Sequence, residues 1–561
     1  MNSNTSVKKK IIAGLMLTTV ALSAAAVTVN VPNFLHSTTA SAEVIANDTS
    51  ARSITIHKYA IDNLADLGIS GDGKVADKTL QDKLDKLDVI ENVQFKITKV
   101  TGTNLTNPAK DSYTEDTTFT PVTLKTDAKG ELKFDLGTDK AADGTYLIEE
   151  LDSPDATHAV KRKASPFFVH VPMTDRDTNG DLMYDINVYP KNEVQHPLNP
   201  TKTIDGQAGE SLLAGSVFQW EAAVDINPSD FYFVASQDST IPGSNPAIHV
   251  NKGDKVYMDY FKIYDKLNAS TELLGTKVQV FDGKDWTDLD SKTDYTFTKG
   301  AATMSPAGEN EVSLTQAGME KVAGISGAKK LRVVYQSKVI DPKFNGVIDN
   351  EFTVNKKEPG LTPDTETNPN KPKLFTGGFD IEKKAEDTKD VLKGAEFRIA
   401  TSEQNAKDGI YLATDGKSYA ESALPTGVDF LTSTSDDAGH AAFDGLPLTW
   451  YDDTNNNGKQ DDSEPTFSDD KIERDYFVVE TKAPAGYELL KDPQKVTVNL
   501  TTADDKAIEA DITDKPKTEL PFTGGTGTML LITVAVGAIG IGTAAVVMDK
   551  KRRQEAESLT K

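Results

Sequence analysis

The chain has 561 residues, with 61 Lys and Arg against 86 Asp and Glu, a formal net charge of −25 and no cysteine. So acidic a surface disfavours nucleic acid and anionic membranes as partners, and no disulfide can staple the fold. Single cores seldom grow beyond about 250–300 residues, so this length argues for three or four domains.

At the N-terminus Lys8, Lys9 and Lys10 precede an apolar stretch, and Ala40-Ser41-Ala42 offers small residues to a signal peptidase. This predicts a signal peptide over 1–42 and secretion, with a mature start at Glu43. From Ser53 the chain alternates, with Ile54, Ile56 and Lys58 on one strand face and Thr55 and His57 on the other. Short strands follow around Phe95, Phe134, Tyr146 and Phe168, separated by turns such as Ala128-Lys129-Gly130. The pattern reads as an antiparallel sandwich over 43–196, with a short surface helix over 77–87 and a last strand over 185–192.

A second domain is expected over 201–356, with strands at 217–220, 260–264, 277–281, 331–335 and 347–354. A polar, Pro-rich linker at 357–373 leads to a third domain over 374–518, whose first strand is Phe379-Asp380-Ile381-Glu382-Lys383. The first and third domains share an order of events, from an apolar-x-apolar-x-Lys strand to a late Tyr-containing strand that ends in Glu, which marks an internal repeat.

Asp453-Thr454-Asn455-Asn456-Asn457-Gly458-Lys459-Gln460-Asp461-Asp462-Ser463-Glu464 has the order of a calcium loop. Asp453, Asn455, Asn457, Asp461 and Glu464 would supply side-chain oxygens and Lys459 its carbonyl, with Gly458 at the sharp turn. An acidic surface turn without metal is the competing reading. Asp175-Arg176-Asp177-Thr178-Asn179-Gly180 starts similarly, but its twelfth position is Ile186, so it is read as a turn. No other cofactor is called for.

The last forty residues organise the rest. Leu520-Pro521-Phe522-Thr523-Gly524 precedes an apolar run over 529–548 and then Lys550, Lys551, Arg552 and Arg553. That run is long enough to cross a bilayer core, with the basic cluster left on the cytoplasmic side. A plain C-terminal membrane anchor explains the helix and the charges but not the pentapeptide. Together, 520–561 resembles the LPxTG cell-wall sorting signal of Gram-positive surface proteins, which a sortase cuts between Thr and Gly.

Two further stretches carry the resemblance. The run Tyr476-Phe477-Val478-Val479-Glu480-Thr481-Lys482-Ala483-Pro484-Ala485-Gly486-Tyr487 is similar to the E-box of CnaB-type Ig-like domains, and Tyr189-Pro190-Lys191-Asn192 is similar to a pilin motif. The second domain lacks an E-box and looks like the CnaA variant. The chain thus resembles the major, or backbone, subunits of sortase-assembled pili. The fold this implies is all-β: three tandem Ig-like β-sandwiches, CnaB-like, CnaA-like and CnaB-like, between a signal peptide and a transmembrane sorting tail.

The resemblance implies two uses of lysine. In assembly, the Lys191 amine of one subunit attacks the Thr523 thioester of another, giving a covalent head-to-tail polymer; Pro190, which cannot donate to a ladder, would hold Lys191 on an edge strand or groove. Within domains, a buried acid promotes an isopeptide bond by polarising the amide carbonyl under attack. The sets implied are Lys58, Glu150 and Asn192; Lys202, Asp265 and Asn350; and Lys383, Glu480 and Asp514. Asp514 stands where the family has Asn, so water would leave instead of ammonia. A buried salt bridge is the competing reading at each set.

The partners implied are further copies of the chain, pilus and housekeeping sortases, peptidoglycan, minor pilins and host surface ligands, with no nucleic acid, on an extracellular, wall-anchored fibre. An adhesin anchored singly to the wall is the rival reading. No HExxH, no GxSxG and no cysteine is present, and seven scattered histidines form no cluster, so no enzyme is indicated.

Overall fold

The computed structural model describes residues 49–64, 71–178, 180–236, 238–241, 244–300, 308–455, 457–461, 463–500, 508–517 and 550. The expected signal peptide, the pentapeptide Leu520, Pro521, Phe522, Thr523 and Gly524, and the apolar run over 529–548 lie outside the described residues. Among the described residues no helix is long and apolar enough to cross a membrane. The protein is all-β. It divides into two compact units, one comprising residues up to 342 with 347–375 and 451–466, the other 343–346, 376–450 and 467 onward.

The first unit begins with a sandwich. Its opening strand, Arg52–His57, lies between Glu131–Gly137, antiparallel, and Asp185–Val188, parallel. Facing it, Gln94–Gly102 pairs with Gly144–Glu150, which pairs in turn with Phe167–Val171. Ile54, Ile56, Phe95, Ile97, Tyr146, Ile148 and Ile186 fill the space between the two layers. Each such side chain contributes about 1.5–3 kcal/mol on burial. The surface helix forms over Lys78–Leu84, where Asp77 accepts from the Leu80 N–H at 2.7 Å and caps it.

The expected last strand is broken in two at Tyr189-Pro190. Asp185–Val188 pairs with the opening strand, while Lys191–Val194 forms the middle of a second small sheet, between Tyr59–Ile61 and Val160–Arg162.

The same unit holds a second sandwich of two five-stranded sheets. One runs in the order Thr201–Ile204, Val217–Asp225, Lys330–Val339, Thr271–Phe281 and Trp286–Asp288. The other runs Tyr295–Thr298, Asn310–Leu314, Tyr260–Asp265, Phe352–Lys357 and Asp364–Thr367. The last of these strands falls in the stretch expected as a linker: Thr353 pairs with Thr367 and Lys356 with Asp364, so polar composition there marks an exposed edge strand.

In the second unit, the part of the strand Lys373–Ala385 from Phe379 onward lies between His440–Leu446, antiparallel, and Ile508–Asp514, parallel. This is the arrangement of the opening strand in the first sandwich. Facing it are Thr432–Thr434, Glu396–Ala400, Glu473–Lys482 and Gln494–Asn499. The repeat seen in the sequence is therefore a repeat of topology.

Candidate functional site

Strand period two carries Lys58 inward behind Ile54 and Ile56, and Lys383 inward behind Phe379 and Ile381. Both lysines are 0% exposed. Their backbones are held by the same device. The N–H of Lys58 donates to the Gly130 carbonyl and that of Lys383 to the Gly439 carbonyl, each at 2.8 Å, while the lysine carbonyls accept from Ile90 and Leu392. Gly130 and Gly439 have φ of +70° and +78°, and a Cβ on either would lie within 2.7 Å of the lysine carbonyl oxygen. Glycine is required there on both counts. The turns Asp127-Ala128-Lys129-Gly130 and Asp436-Asp437-Ala438-Gly439 repeat this signal in the sequence, their glycines 72 and 56 positions after the lysines they hold.

Around Lys58 the structure gathers all three residues of the expected set. Its Nζ lies 2.7 Å from Glu150 Oε2 and also donates to Asn192 Oδ1. Glu150 Oε1 accepts from the Asn192 Nδ2 at 2.5 Å. Glu150 therefore bridges the amine and the amide nitrogen, whereas the expected acid sits on the amide oxygen. Glu149, one residue earlier, points outward to Lys96 at 3.7 Å. Burial lowers Lys58 to about 8 against the pull of Glu150, and the Phe95 ring centroid stands 5.6 Å from its Nζ.

Lys202, also 0% exposed, pairs with Asp265, whose Oδ1 accepts from the Asn350 Nδ2 at 3.1 Å. Asn350 Oδ1 is buried without a hydrogen-bond partner. Burial pushes Lys202 down and Asp265 up, so the pair moves towards its neutral form. Trp220, Tyr335 and Phe352 place ring centroids 5.5–5.9 Å from Nζ. No apolar run precedes Lys202 in the sequence; its apolar surroundings come from three other strands.

Lys383 pairs with Asp514 and lies 3.0 Å from Glu480 Oε1, with the Phe397 ring 5.5 Å away. Glu480 Oε2 accepts from the Leu490 N–H at 2.8 Å, and burial pushes the Glu480 carboxyl up. In each of the three sites an amine, a carboxylate and an amide or second carboxylate meet in the interior. At the first and third, the contact joins the beginning and end of a sandwich.

Lys191 opens an interior strand, and the expectation of an edge position is corrected: Tyr59–Ile61 and Val160–Arg162 flank that strand. The side chain is 7% exposed, and its Nζ donates to the Tyr189 carbonyl at 2.9 Å. Two residues on, Glu193 takes an ion pair from Arg162, which also donates to the Pro359 carbonyl. Lys161 pairs with Glu358 and lies 3.3 Å from Glu193 and 3.6 Å from Asp230. His196 sits between Asp230 and Asp62, which push it up to about 9. This network, absent from the sequence reading, ties the Lys191 strand to the second sandwich.

The loop 451–466 belongs to the first unit, where the Gln460 N–H donates to Gln207 Oε1 at 2.6 Å. Asp453 accepts from the N–H groups of Asn457 and Gly458, and Asn457 Oδ1 accepts from that of Lys459. Glu464 is 2% exposed and folds back to accept from the N–H groups of Asn455 and Asp461. Gly458 has the positive φ, +72°, that the sixth loop position needs. Asn456 and Asp462 lie outside the described residues. Among the described residues no group of three or more His, Cys, Asp or Glu side chains forms a metal cage. At the other acidic turn, Lys74 takes up Asp175 at 2.8 Å and Asp177 at 2.7 Å, as suits a turn.

Comparison with known proteins agrees with this anatomy. Residues 49–193 match the family model of the Gram-positive pilin subunit D1, N-terminal domain, and residues 452–516 match a prealbumin-like fold domain. The chain is 27% identical over 459 residues to the fimbrial subunit type 2 of Actinomyces naeslundii, covering 77% of this chain and 74% of that one. It is 27% identical over 445 residues to the fimbrial subunit type 1 of Actinomyces viscosus, covering 74% of each. Among solved structures, the full-length major pilin SpaD of Corynebacterium diphtheriae superposes with a TM-score of 0.49 at 21% identity, covering 84% of this chain and 99% of that one. By these matches, residues 49–193 are similar to the N-terminal domain of Gram-positive pilin subunits, and the chain as a whole is similar to fimbrial subunits.

Proposed function

We propose that this chain is the backbone subunit of a covalent, wall-anchored fibre. A sortase would join the Thr523 carbonyl of one copy to the Lys191 amine of the next, and a final transfer would attach the fibre to peptidoglycan. Internal isopeptide bonds, Lys58 to Asn192, Lys202 to Asn350 and Lys383 to Asp514, would lock the sandwiches in place of disulfides. Minor pilins and host ligands are the further partners such a fibre would take.

The observation that carries this reading is the convergence of amine, acid and acceptor in three separate sandwiches, with Lys58, Asn192, Lys202, Asp265, Asn350, Lys383, Glu480 and Asp514 at 0–3% exposure and the Glu150 side chain at 1%. Burying one unpaired charge costs several kcal/mol, so three such clusters are an expensive way to make plain ion pairs. An amine must be neutral to attack, and a carboxylate beside it can carry the proton to the leaving nitrogen. A near-buried Lys191 implies that its cover must shift before a thioester carbonyl reaches it.

Intact mass of the chain from residue 43 to 518, beside a Glu480→Ala variant, tests the internal chemistry. A deficit of ammonia or water for each bond is expected, partly restored in the variant. A mass equal to the plain sequence would remove the internal bonds. High-mass ladders in wall extracts that vanish in Lys191→Ala are expected for the polymer; a single wall-linked band in both would favour a singly anchored adhesin.

The loop 453–464 fits calcium by its glycine turn and buried twelfth-position carboxylate. Asp453, Asn455, Asn457, Asp461 and Glu464, with the Lys459 carbonyl, would hold the ion.

A further inference from the structure

Ala164, between the strands Val160–Arg162 and Phe167–Val171, has no side-chain chemistry, yet its backbone N–H points into the Lys58 site. It donates to Asn192 Oδ1 at 2.8 Å and to Glu150 Oε2 at 3.2 Å. The ladder that brings Arg162 opposite Glu193 sets this approach, since Asn192 is the neighbour of Glu193. A backbone N–H can only donate, so it also fixes which end of the Asn192 amide faces it. The oxygen must point to Ala164, which leaves Nδ2 on Glu150.

We propose that the Ala164 N–H is the oxyanion donor for isopeptide formation in the first sandwich. The inference rests on the proposed bond between Lys58 and Asn192. Neutral Lys58 Nζ attacks Asn192 Cγ; the N–C bond forms, and the carbonyl electrons move onto Oδ1, where the Ala164 N–H receives them. Glu150 takes a proton from Nζ through Oε2 and delivers one to Nδ2 through Oε1. The Cγ–Nδ2 bond then breaks, the carbonyl reforms, and ammonia leaves. A donor at 2.8 Å lies in the range required of an oxyanion hole, and being backbone it needs no reorganisation as charge develops. Here the carbonyl is polarised by the main chain, and the acid is left to move protons.

The other two sites differ. In the third sandwich the comparable backbone group, Leu490 N–H, reaches only Glu480 Oε2, and Asp514 Oδ2 is buried without a hydrogen-bond partner. At the Lys202 site Asn350 Oδ1 likewise has none.

The test replaces residue 164 by lactic acid in the chain 43–518 during cell-free synthesis. This exchanges the N–H for an ester oxygen and keeps the methyl group. Samples quenched in denaturant at intervals are peptide-mapped for the Lys58–Asn192 and Lys202–Asn350 cross-links. The ester is expected to slow the first by about tenfold or more and to leave the second, an internal clock in the same molecule, unchanged. Equal rates for the first cross-link in parent and ester chains would overturn the assignment. A parent that never forms the Lys58–Asn192 bond would instead remove the underlying bond, and the donor role with it. Should the ester chain fail to fold, amide exchange at Ala164 in the parent decides: slow exchange sustains the donor, and exchange at the rate of an open loop rules it out.

Discussion

Lys58 Nζ and Glu150 Oε2 meet at 2.7 Å with side chains 0% and 1% exposed, Lys58 directly after the strand Arg52–His57 and Glu150 at the end of Gly144–Glu150 in the facing layer of the first sandwich. Neither group is stable there alone. If Glu150 is changed to Gln, the proton route from Nζ to Nδ2 is lost and Lys58 is left buried without a counter-charge. The Lys58–Asn192 cross-link should be absent from peptide maps, and the sandwich should lose about 3–5 kcal/mol in denaturant titration. A Glu150→Gln chain that still cross-links fully would show that the acid has no part in the chemistry.

The Lys58 site also sets a pH dependence. Burial lowers its folded value from 10.5 to about 8. Before the bond forms, the unfolded chain therefore holds more protons than the folded one between those values, and stability rises with pH across that window. Below about pH 8 the amine is mostly charged, so bond formation should slow about tenfold per pH unit and level off above it. Timed mass spectra of freshly made chain would show this, and a flat profile from about pH 6 to 9 would contradict a neutral amine nucleophile.

Asp514 predicts its own leaving group. The wild-type third sandwich should lose water, and Asp514→Asn should lose ammonia at the same place, with Lys383 cross-linked in both. Asp514→Ala should abolish that cross-link and leave the Lys202 and Lys58 bonds intact. A cross-link from Lys383 to any other residue would redirect the assignment.

Calcium should stabilise the chain through 453–464. At one hundred times the dissociation constant, one site adds about 2.7 kcal/mol. Melting with calcium and then with chelator should differ in the parent and agree in Glu464→Gln. Identical melts in the parent would make the loop a turn without metal.

Arg162 predicts a mechanical coupling within the first unit. Arg162→Ala removes one of the two cations paired with buried Glu193, leaving Lys161 at 3.3 Å, and removes the donor to the Pro359 carbonyl. A cost of about 1–3 kcal/mol is expected, with faster proteolytic cleavage near residue 197 between the two sandwiches. Unchanged cleavage would mean that the network contributes nothing to holding them.

By itself the sequence determined which side of each strand faces inward, because side chains alternate with a period of two. That sufficed to place Lys58 and Lys383 in the core and to recognise the repeat. What it could not set was which chain segment arrives opposite a given residue, since pairing of Lys58 with Asn192 spans 134 positions. Tertiary structure alone decided that three rings from other strands enclose Lys202 and that Lys191 is interior. It also decided that Glu150 meets the amide nitrogen and that a main-chain N–H, invisible in any motif, meets the oxygen. A backbone donor carries no residue identity, so only the ladder that aims it can reveal its role.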